Sequence, residues 1–290
     1  MVKIGHKIPD LLFAAPPGTP VGVQVMSLTK LAGRVAPERL ARPQRPAFHQ
    51  LITVTGGSLR QTVDFHPYVV EPGAWLWIRP GQVQQWGSLT GVTGDLVLFQ
   101  PSHLDAATAS RVQLDDPYLP VLRQTDDAAG VRMALDHLAY EFGALGRMPL
   151  ESHTAALRHL LAVLVLRLTY LAVPVIDHAA TPDAAYLRFR SAVDSDFMRT
   201  RRVEDYARSL GYSTKTLARA TQAAAGVSAK EFIDRRVVLE AKRLLAHSDQ
   251  SAVQISQQLG FRAPTQFAKY FAQRTGQTPM AFRSAVAGQG

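Results

Sequence analysis

The chain has 290 residues, 47% of them hydrophobic, a mean hydropathy of −0.03 and no cysteine, which is enough for two folded domains and excludes disulfides, thiolate metal sites and thiol nucleophiles. Its formal net charge of +9 is unevenly placed: residues 184 to 290 carry 17 Lys and Arg against 8 Asp and Glu, whereas residues 1 to 183 carry 15 of each. A region with that imbalance attracts polyanions, and counterion release on contacting phosphates supplies affinity that does not depend on sequence.

The opening MVKIGHKIPDLLFAAPPG has no continuous apolar core of an export signal, and the longest apolar run, Leu160 to Leu168, is short and broken by Arg167. A cytoplasmic protein with no membrane partner is expected. From residue 20 to 100 the short runs VGVQVMSL, HQLITVTG, YVVEPG, WLWIRPG and DLVLFQP are separated by Gly and Pro. That punctuation predicts an antiparallel sandwich or barrel. Trp75 and Trp77 alternate onto one face of their strand and Leu76 and Ile78 onto the other, and the pattern leaves open which pair points inward.

From about Asp116 the period becomes helical. Val131 to Phe142 and Glu151 to Leu171 both show it, the latter with Leu157, Leu160, Leu161, Leu164 and Leu168 along one side. That stripe needs a partner, either the β region of the same chain or the same helix of a second subunit; we expect the second, an isologous homodimer. VPVIDHAATPDA then reads as a linker. The expected fold is α+β and multidomain: a β domain over 1–115, a helical dimerisation segment over 116–172, a linker over 173–183, and an all-α domain over 184–290.

The all-α part contains an approximate repeat. Leu210-Gly211-Tyr212 matches Leu259-Gly260-Phe261 at an offset of 49, and Leu217, Arg219, Gly226 and Phe232 match Phe267, Lys269, Gly276 and Phe282 at an offset of 50. Each copy reads as a short helix, a turn opened by glycine, a second helix, a terminating glycine and a capped helix. This is a helix-turn-helix, expected over 202–225 and 251–275. Ser228-Ala-Lys-Glu231 and Ser251-Ala-Val-Gln254 read as capping boxes, and Thr278-Pro279 as an N-cap followed by a first-position proline. A long helix from Ser228 joins the copies.

The stretch LGFRAPTQFAKYFAQRTGQTPMAFR, Leu259 to Arg283, resembles the carboxy-terminal signature of the AraC/XylS family of bacterial transcription regulators. Phe267, Phe271, Gly276, Thr278, Pro279, Phe282 and Arg283 carry the match, and Arg236 to Leu245 resembles the family's linker helix. The resemblance implies a sequence-specific regulator whose two helix-turn-helix units bind promoter DNA, with RNA polymerase as a further partner if it activates. Phe267, Tyr270 and Phe271 are spaced to bury one face, leaving Thr265, Gln266, Ala268 and Lys269 outside. Thr214, Lys215, Thr216, Ala218 and Arg219 are their counterparts in the first unit. Gln suits adenine, Lys and Arg suit guanine, and methyl groups suit thymine; Arg262, in the turn, suits a phosphate. Thr221 stands where the second unit has Phe271, so the first recognition helix is expected to be held less firmly.

The β region resembles, more loosely, the cupin-like sensor domain of such regulators, which implies a small organic effector. A metal-binding cupin carries a His pair and a Glu in its first motif and a further His in its second. Here His49 is followed by Gln50 and Leu51, and Gln84 stands at the later position. No metal, cofactor or catalytic residue is therefore expected, and His49, Trp77 and Gln84 are the candidate effector contacts. A cupin enzyme tethered to nucleic acid is the rival reading. A methyl-accepting DNA-repair protein would need a cysteine.

Overall fold

The computed structural model describes residues 10–14, 22–112, 114, 122–123, 128–170 and 183–287. Over these residues the chain forms two compact units, one from residue 10 to 170 and the other from residue 183 to 287. The linker expected at 173–183 lies, except for Asp183, outside the described residues. No described helix is long and apolar enough to cross a membrane.

The amino-terminal unit begins with β1 (Asp10–Leu11), β2 (Val23–Ser27), α1 (Leu28–Arg34), α2 (Pro37–Leu40) and β3 (Arg45–Pro46). It continues through β4 (His49–Gly56), β5 (Leu59–Val63), β6 (His66–Val70), β7 (Trp75–Ile78), β8 (Gln84–Trp86) and β9 (Thr93–Phe99). A 3-10 turn (Pro101–His103), α3 (Ala106–Arg111), β10 (Leu122–Arg123), α4 (Ala128–Gly143) and α5 (Leu150–Tyr170) complete it. Among the described residues the strands form a five-stranded sheet in the order β10-β7-β4-β9-β2, a three-stranded sheet in the order β6-β5-β8, and the small pair β1-β3. The two larger sheets are antiparallel throughout. They are two separate ladders, not one closed barrel.

The five-stranded sheet is buried on both faces, so HQLITV is buried at every position, its polar His49, Gln50 and Thr53 included. One face carries Val23, Val25, Leu51, Trp75, Trp77, Val97 and Phe99, and α4 and α5 cover it with Val131, Leu135, Leu138, Leu157, Leu161, Leu164 and Leu168. The other face carries Ile52, Val54, Leu76, Ile78 and Leu96 and meets Leu59, Val63 and Trp86 of the smaller sheet. So the tryptophans turn toward the helices, while Leu76 and Ile78 turn into the space between the sheets.

This arrangement corrects one expectation. The leucine stripe of α5 does not wait for a second subunit. Leu157, Leu161 and Leu164 are fully buried in the chain's own core, because the sheet's outer apolar face lies within reach and needs the same cover. The hairpin from β5 to β6 turns on Asp64 and Phe65, both with positive φ, 48° and 67°, the backbone of a two-residue hairpin that follows the strand twist. Asp64 is locked there by Gln82 Nε2 at 2.9 Å and the Val83 amide at 3.0 Å, so the loop between β7 and β8 braces the turn.

The carboxy-terminal unit is helical: α6 (Ala184–Asp196), α7 (Val203–Leu210), α8 (Thr214–Ala225), α9 (Ala229–His247), α10 (Ala252–Gln258), α11 (Pro264–Thr275) and α12 (Pro279–Ala287). Its caps follow the sequence closely. The Ser251–Gln254 box closes in both directions. Ser228 accepts from the Glu231 amide, but the Glu231 carboxylate turns to Arg235 at 3.0 Å, so only half of that box is made. Thr278 accepts from the Ala281 amide at 3.2 Å. Gly226 and Gly276 end α8 and α11 in the left-handed conformation, φ 68° and 76°, where a side chain would be strained.

Candidate nucleic-acid interface and sensor interior

Each helix-turn-helix is a short positioning helix followed by a twelve-residue second helix: α7 and α8 in the first, α10 and α11 in the second. In the second, Phe267 and Phe271 are buried, with ring centroids 5.9 Å apart, and Phe282 from α12 packs edge-on to Phe271 at 5.7 Å. The first unit has Leu217 and Thr221 at the matching places, both fully buried. The Thr221 hydroxyl donates to the Leu217 carbonyl at 2.7 Å, satisfying itself inside its own helix. Aromatic packing around α8 comes from neighbouring elements instead: Tyr186 and Phe189 on α6, Tyr206 on α7 and Phe232 on α9, in mutual contact at 5.6 to 5.8 Å.

Burial of those faces leaves the opposite faces outward. Thr214, Lys215, Ala218 and Arg219 on α8 are exposed, as are Thr265, Gln266 and Lys269 on α11 and Arg262 in the turn before it. Thr216 and Ala268 are half-buried. Thr216 also shares a 2.8 Å hydrogen bond with the Ser213 hydroxyl, and Ser213 caps α8. Eight of the ten sequence-derived contact residues therefore lie on open surface.

Several residues whose tertiary partners the sequence did not show set the geometry between the two helix-turn-helix units. Asp234, on α9, is buried and accepts hydrogen bonds from Lys230, from the Tyr270 hydroxyl at 2.6 Å and from Arg274. Burial alone would raise its carboxyl, but the three donors outweigh it and hold the group below the ordinary carboxylate range. Burial, followed by the bond to Asp234, pushes Tyr270 well above the usual phenol. Arg236 ties α9 to α6 through Asp194 at 3.0 Å and lies over the Phe197 ring at 4.0 Å. Arg283, one of the signature residues, donates to the Leu245 carbonyl in the last turn of α9 at 3.0 Å and to the Gln250 carbonyl in the loop after it at 2.7 Å. An acidic residue between Ile233 and Val237 was the one visible signal for the Asp234 cluster.

In the amino-terminal unit the three effector candidates fall into two places. His49 and Trp77 meet on the helix-facing side of the large sheet. The Trp77 indole N–H donates to His49 Nδ1 at 3.3 Å, and the His49 ring stacks on Phe99 at 4.7 Å. The Arg79 guanidinium lies 5.0 Å from the Trp77 ring. Burial, helped by the Arg79 charge, lowers His49 to about 3, so it is neutral and free to accept. Gln84 lies elsewhere, in the space between the sheets, where its Oε1 accepts from Gln61 Nε2 at 3.1 Å. Gln50 faces the same space, since it alternates with His49 along β4 and pairs with Ile78. Gln50 Oε1, Gln61 Oε1 and Gln84 Nε2 are buried with no hydrogen-bond partner among the described residues.

Two recognition helices in a basic all-α unit, and a separate β-sandwich whose apolar interior holds the buried amides of Gln50, Gln61 and Gln84, define a ligand-linked DNA-binding transcription regulator. The chain is matched by the model of an AraC-like ligand binding domain over residues 33–160 and by that of a helix-turn-helix domain over residues 206–285. The chain belongs to the AraC/XylS family of transcription regulators. Among solved structures it is similar to ToxT from Vibrio cholerae with bound unsaturated fatty acid, at 12% identity over 91% of this chain and 96% of that one, TM-score 0.42. It is also similar to an AraC-type regulator from Chromobacterium violaceum, at 22% identity over 37% of this chain and 95% of that one, TM-score 0.33. The DNA-binding domain of the global transcriptional factor AdpA, in complex with target DNA, is similar at 26% identity over 37% of this chain and 96% of that one, TM-score 0.34. No curated protein matches the chain.

Proposed function

We propose that α8 and α11 enter successive major-groove segments of a promoter operator and read it through Arg219, Lys215, Gln266 and Lys269, with Thr214, Thr216, Ala218, Thr265 and Ala268 shaping the surface. Arg262 contacts a phosphate. The observation that carries this reading is the duplicated helix-turn-helix whose outward residues are polar or cationic, in the part of the chain that holds the entire net charge.

A small organic effector binds in the amino-terminal unit. The buried amides of Gln50, Gln61 and Gln84 support this: each unmatched polar atom costs about 1–3 kcal/mol when left dry, and a ligand bearing hydroxyl or amide groups would satisfy them. His49 and Trp77 act from the other face of the sheet, shaping the packing of α4 and α5 on it. The protein works in the cytoplasm, and as an activator it contacts RNA polymerase; a homodimer would form through a surface other than the buried leucines of α5. It is a regulator and not an enzyme, a reading supported by the match of one part to a ligand binding domain and of the other to a helix-turn-helix domain.

Genome-wide mapping of sites bound by the intact chain, followed by titration of one such site at increasing salt, tests the proposal. A few enriched promoters are expected. About six phosphate contacts would lower affinity roughly a thousandfold between 50 and 200 mM salt. Scattered occupancy with no shared sequence, or affinity indifferent to salt, would overturn it.

A further inference from the structure

The long helix α9 joins the two helix-turn-helix units covalently, but a second, non-covalent path also runs between them. It begins at Arg201, in the loop from α6 to α7. Thr200 in that loop donates to Asp205 at 2.6 Å, and the Tyr206 hydroxyl donates to the Thr200 carbonyl at 3.0 Å. Both partners belong to α7, so the loop is part of the first unit.

From there Arg201 reaches the turn of the second unit. Its guanidinium donates to the Leu259 carbonyl at 2.7 Å and to the Gly260 carbonyl at 2.9 Å, and it lies 3.9 Å from the centre of the Phe261 ring. Gly260 is required at this contact. Its φ is 72°, and a Cβ there would stand 2.0 Å from the Met198 carbonyl oxygen of the same loop. The two backbones touch with no room for a side chain.

The path continues as a stack. Phe261 meets Tyr270 of α11 edge-on at 5.1 Å, and the Arg274 guanidinium lies over the Tyr270 ring at 3.7 Å. The Tyr270 hydroxyl and Arg274 both end on Asp234 of α9. So α11 is held between the first unit's loop and the joining helix. Cation, ring, ring, cation and carboxylate follow one another, each contact directional.

We infer that the column Arg201–Phe261–Tyr270–Arg274–Asp234 is a ruler that fixes the separation and angle of α11 relative to α8, and that Arg201 is a positioning residue for operator spacing. It touches no DNA in this role. The inference rests on α8 and α11 being the two DNA-reading helices. A joining helix anchored at one end only would let the second unit pivot. Because one added base pair turns a groove segment by about a tenth of a helical turn, a rigid pair tolerates one spacing and a pivoting pair tolerates several.

The test uses the intact chain and duplexes selected by the wild-type protein from a random-sequence pool. The best operator is rebuilt with the segments read by α8 and α11 moved apart or together by one and two base pairs. Wild type is expected to show a sharp optimum. Arg201→Ala is expected to reduce the preference for that optimum over its neighbours by about tenfold or more, while Arg201→Lys, which keeps a cation over Phe261, gives an intermediate profile. Phe261→Leu keeps apolar volume but removes the ring face, and is expected to broaden the profile as well; it decides the matter if Arg201→Ala does not fold. An equal loss at every spacing, or an unchanged profile, overturns the ruler. No spacing optimum in wild type would overturn the two-helix reading instead.

Discussion

Asp234→Asn offers a sharp measure of what holds the second recognition helix. The substitution keeps the volume but replaces a buried carboxylate that receives three donors with an amide that cannot accept from all of them. Breaking a buried ion pair costs about 3–5 kcal/mol. Here Lys230 is half exposed and Arg274 about a quarter exposed, so both keep part of their hydration and the loss should be smaller, about 2–3 kcal/mol. With a urea slope of about 1–3 kcal/mol per molar, the midpoint should fall by about 0.7–3 M.

The molecule supplies an internal control. All three tryptophans, Trp75, Trp77 and Trp86, lie in the amino-terminal unit. Far-ultraviolet circular dichroism, to which the carboxy-terminal unit contributes the larger share of helix, should therefore show a shifted component that tryptophan fluorescence does not. The pH dependence also has a definite sign. The folded carboxyl lies below its ordinary value, so its contribution is complete above the unfolded value of about 4 and is lost as pH falls through the lower folded value. The gap between wild type and variant should be constant from pH 7 to 5 and close below about pH 4. A neutral-pH midpoint shift equivalent to less than about 0.5 kcal/mol would mean the cluster behaves as a surface ion pair, and the reasoning would fail.

Arg219→Ala should cost about 1–3 kcal/mol at the preferred operator and relax selectivity at one base position, as a bidentate guanine contact does; a panel of single-base operator variants reads this directly, and equal losses at every base would make Arg219 a phosphate contact. Arg262→Ala should weaken all sequences alike and lower the salt slope by about one, measured by titration at several salt concentrations. His49 is lowered to about 3 by burial and Arg79, so the unfolded chain binds its proton between about pH 6.5 and 3 while the folded chain does not. The tryptophan-monitored stability of the amino-terminal unit should fall as pH drops through that window, and His49→Gln should flatten the fall.

The repeat in the carboxy-terminal half was legible because helix caps are local. Ser228, Ser251, Gly226, Gly276 and Thr278 act within four residues of themselves, so the sequence around each shows its role. The outward residues followed from the same period, once Phe267 and Phe271 were placed inside. Arg201 was not legible. Its acceptors are 58 and 59 residues away, and they are backbone carbonyls, which leave no trace in composition. The same limit applied to the strands: alternation places Trp75 with Trp77 but cannot say which side the helices cover. For the leucines of α5, periodicity showed that a partner was needed, and only the fold showed that the sheet of the same chain was that partner.

The contact of Arg283 with the end of α9 bears on how the molecule is made. The helix begins at Ala229 and Ser248 caps its Leu244 carbonyl, yet the donor for the Leu245 carbonyl stands 38 residues further on. A growing chain leaves the ribosome in order, so the first helix-turn-helix and most of α9 emerge before the group that closes the helix. Until residue 283 is clear of the exit tunnel, the Leu245 carbonyl has only water in place of this donor. The first reading head is thus complete while the second is still being synthesised, and ribosomes that stall in this interval carry chains with one reading head assembled and an open helix end beside it.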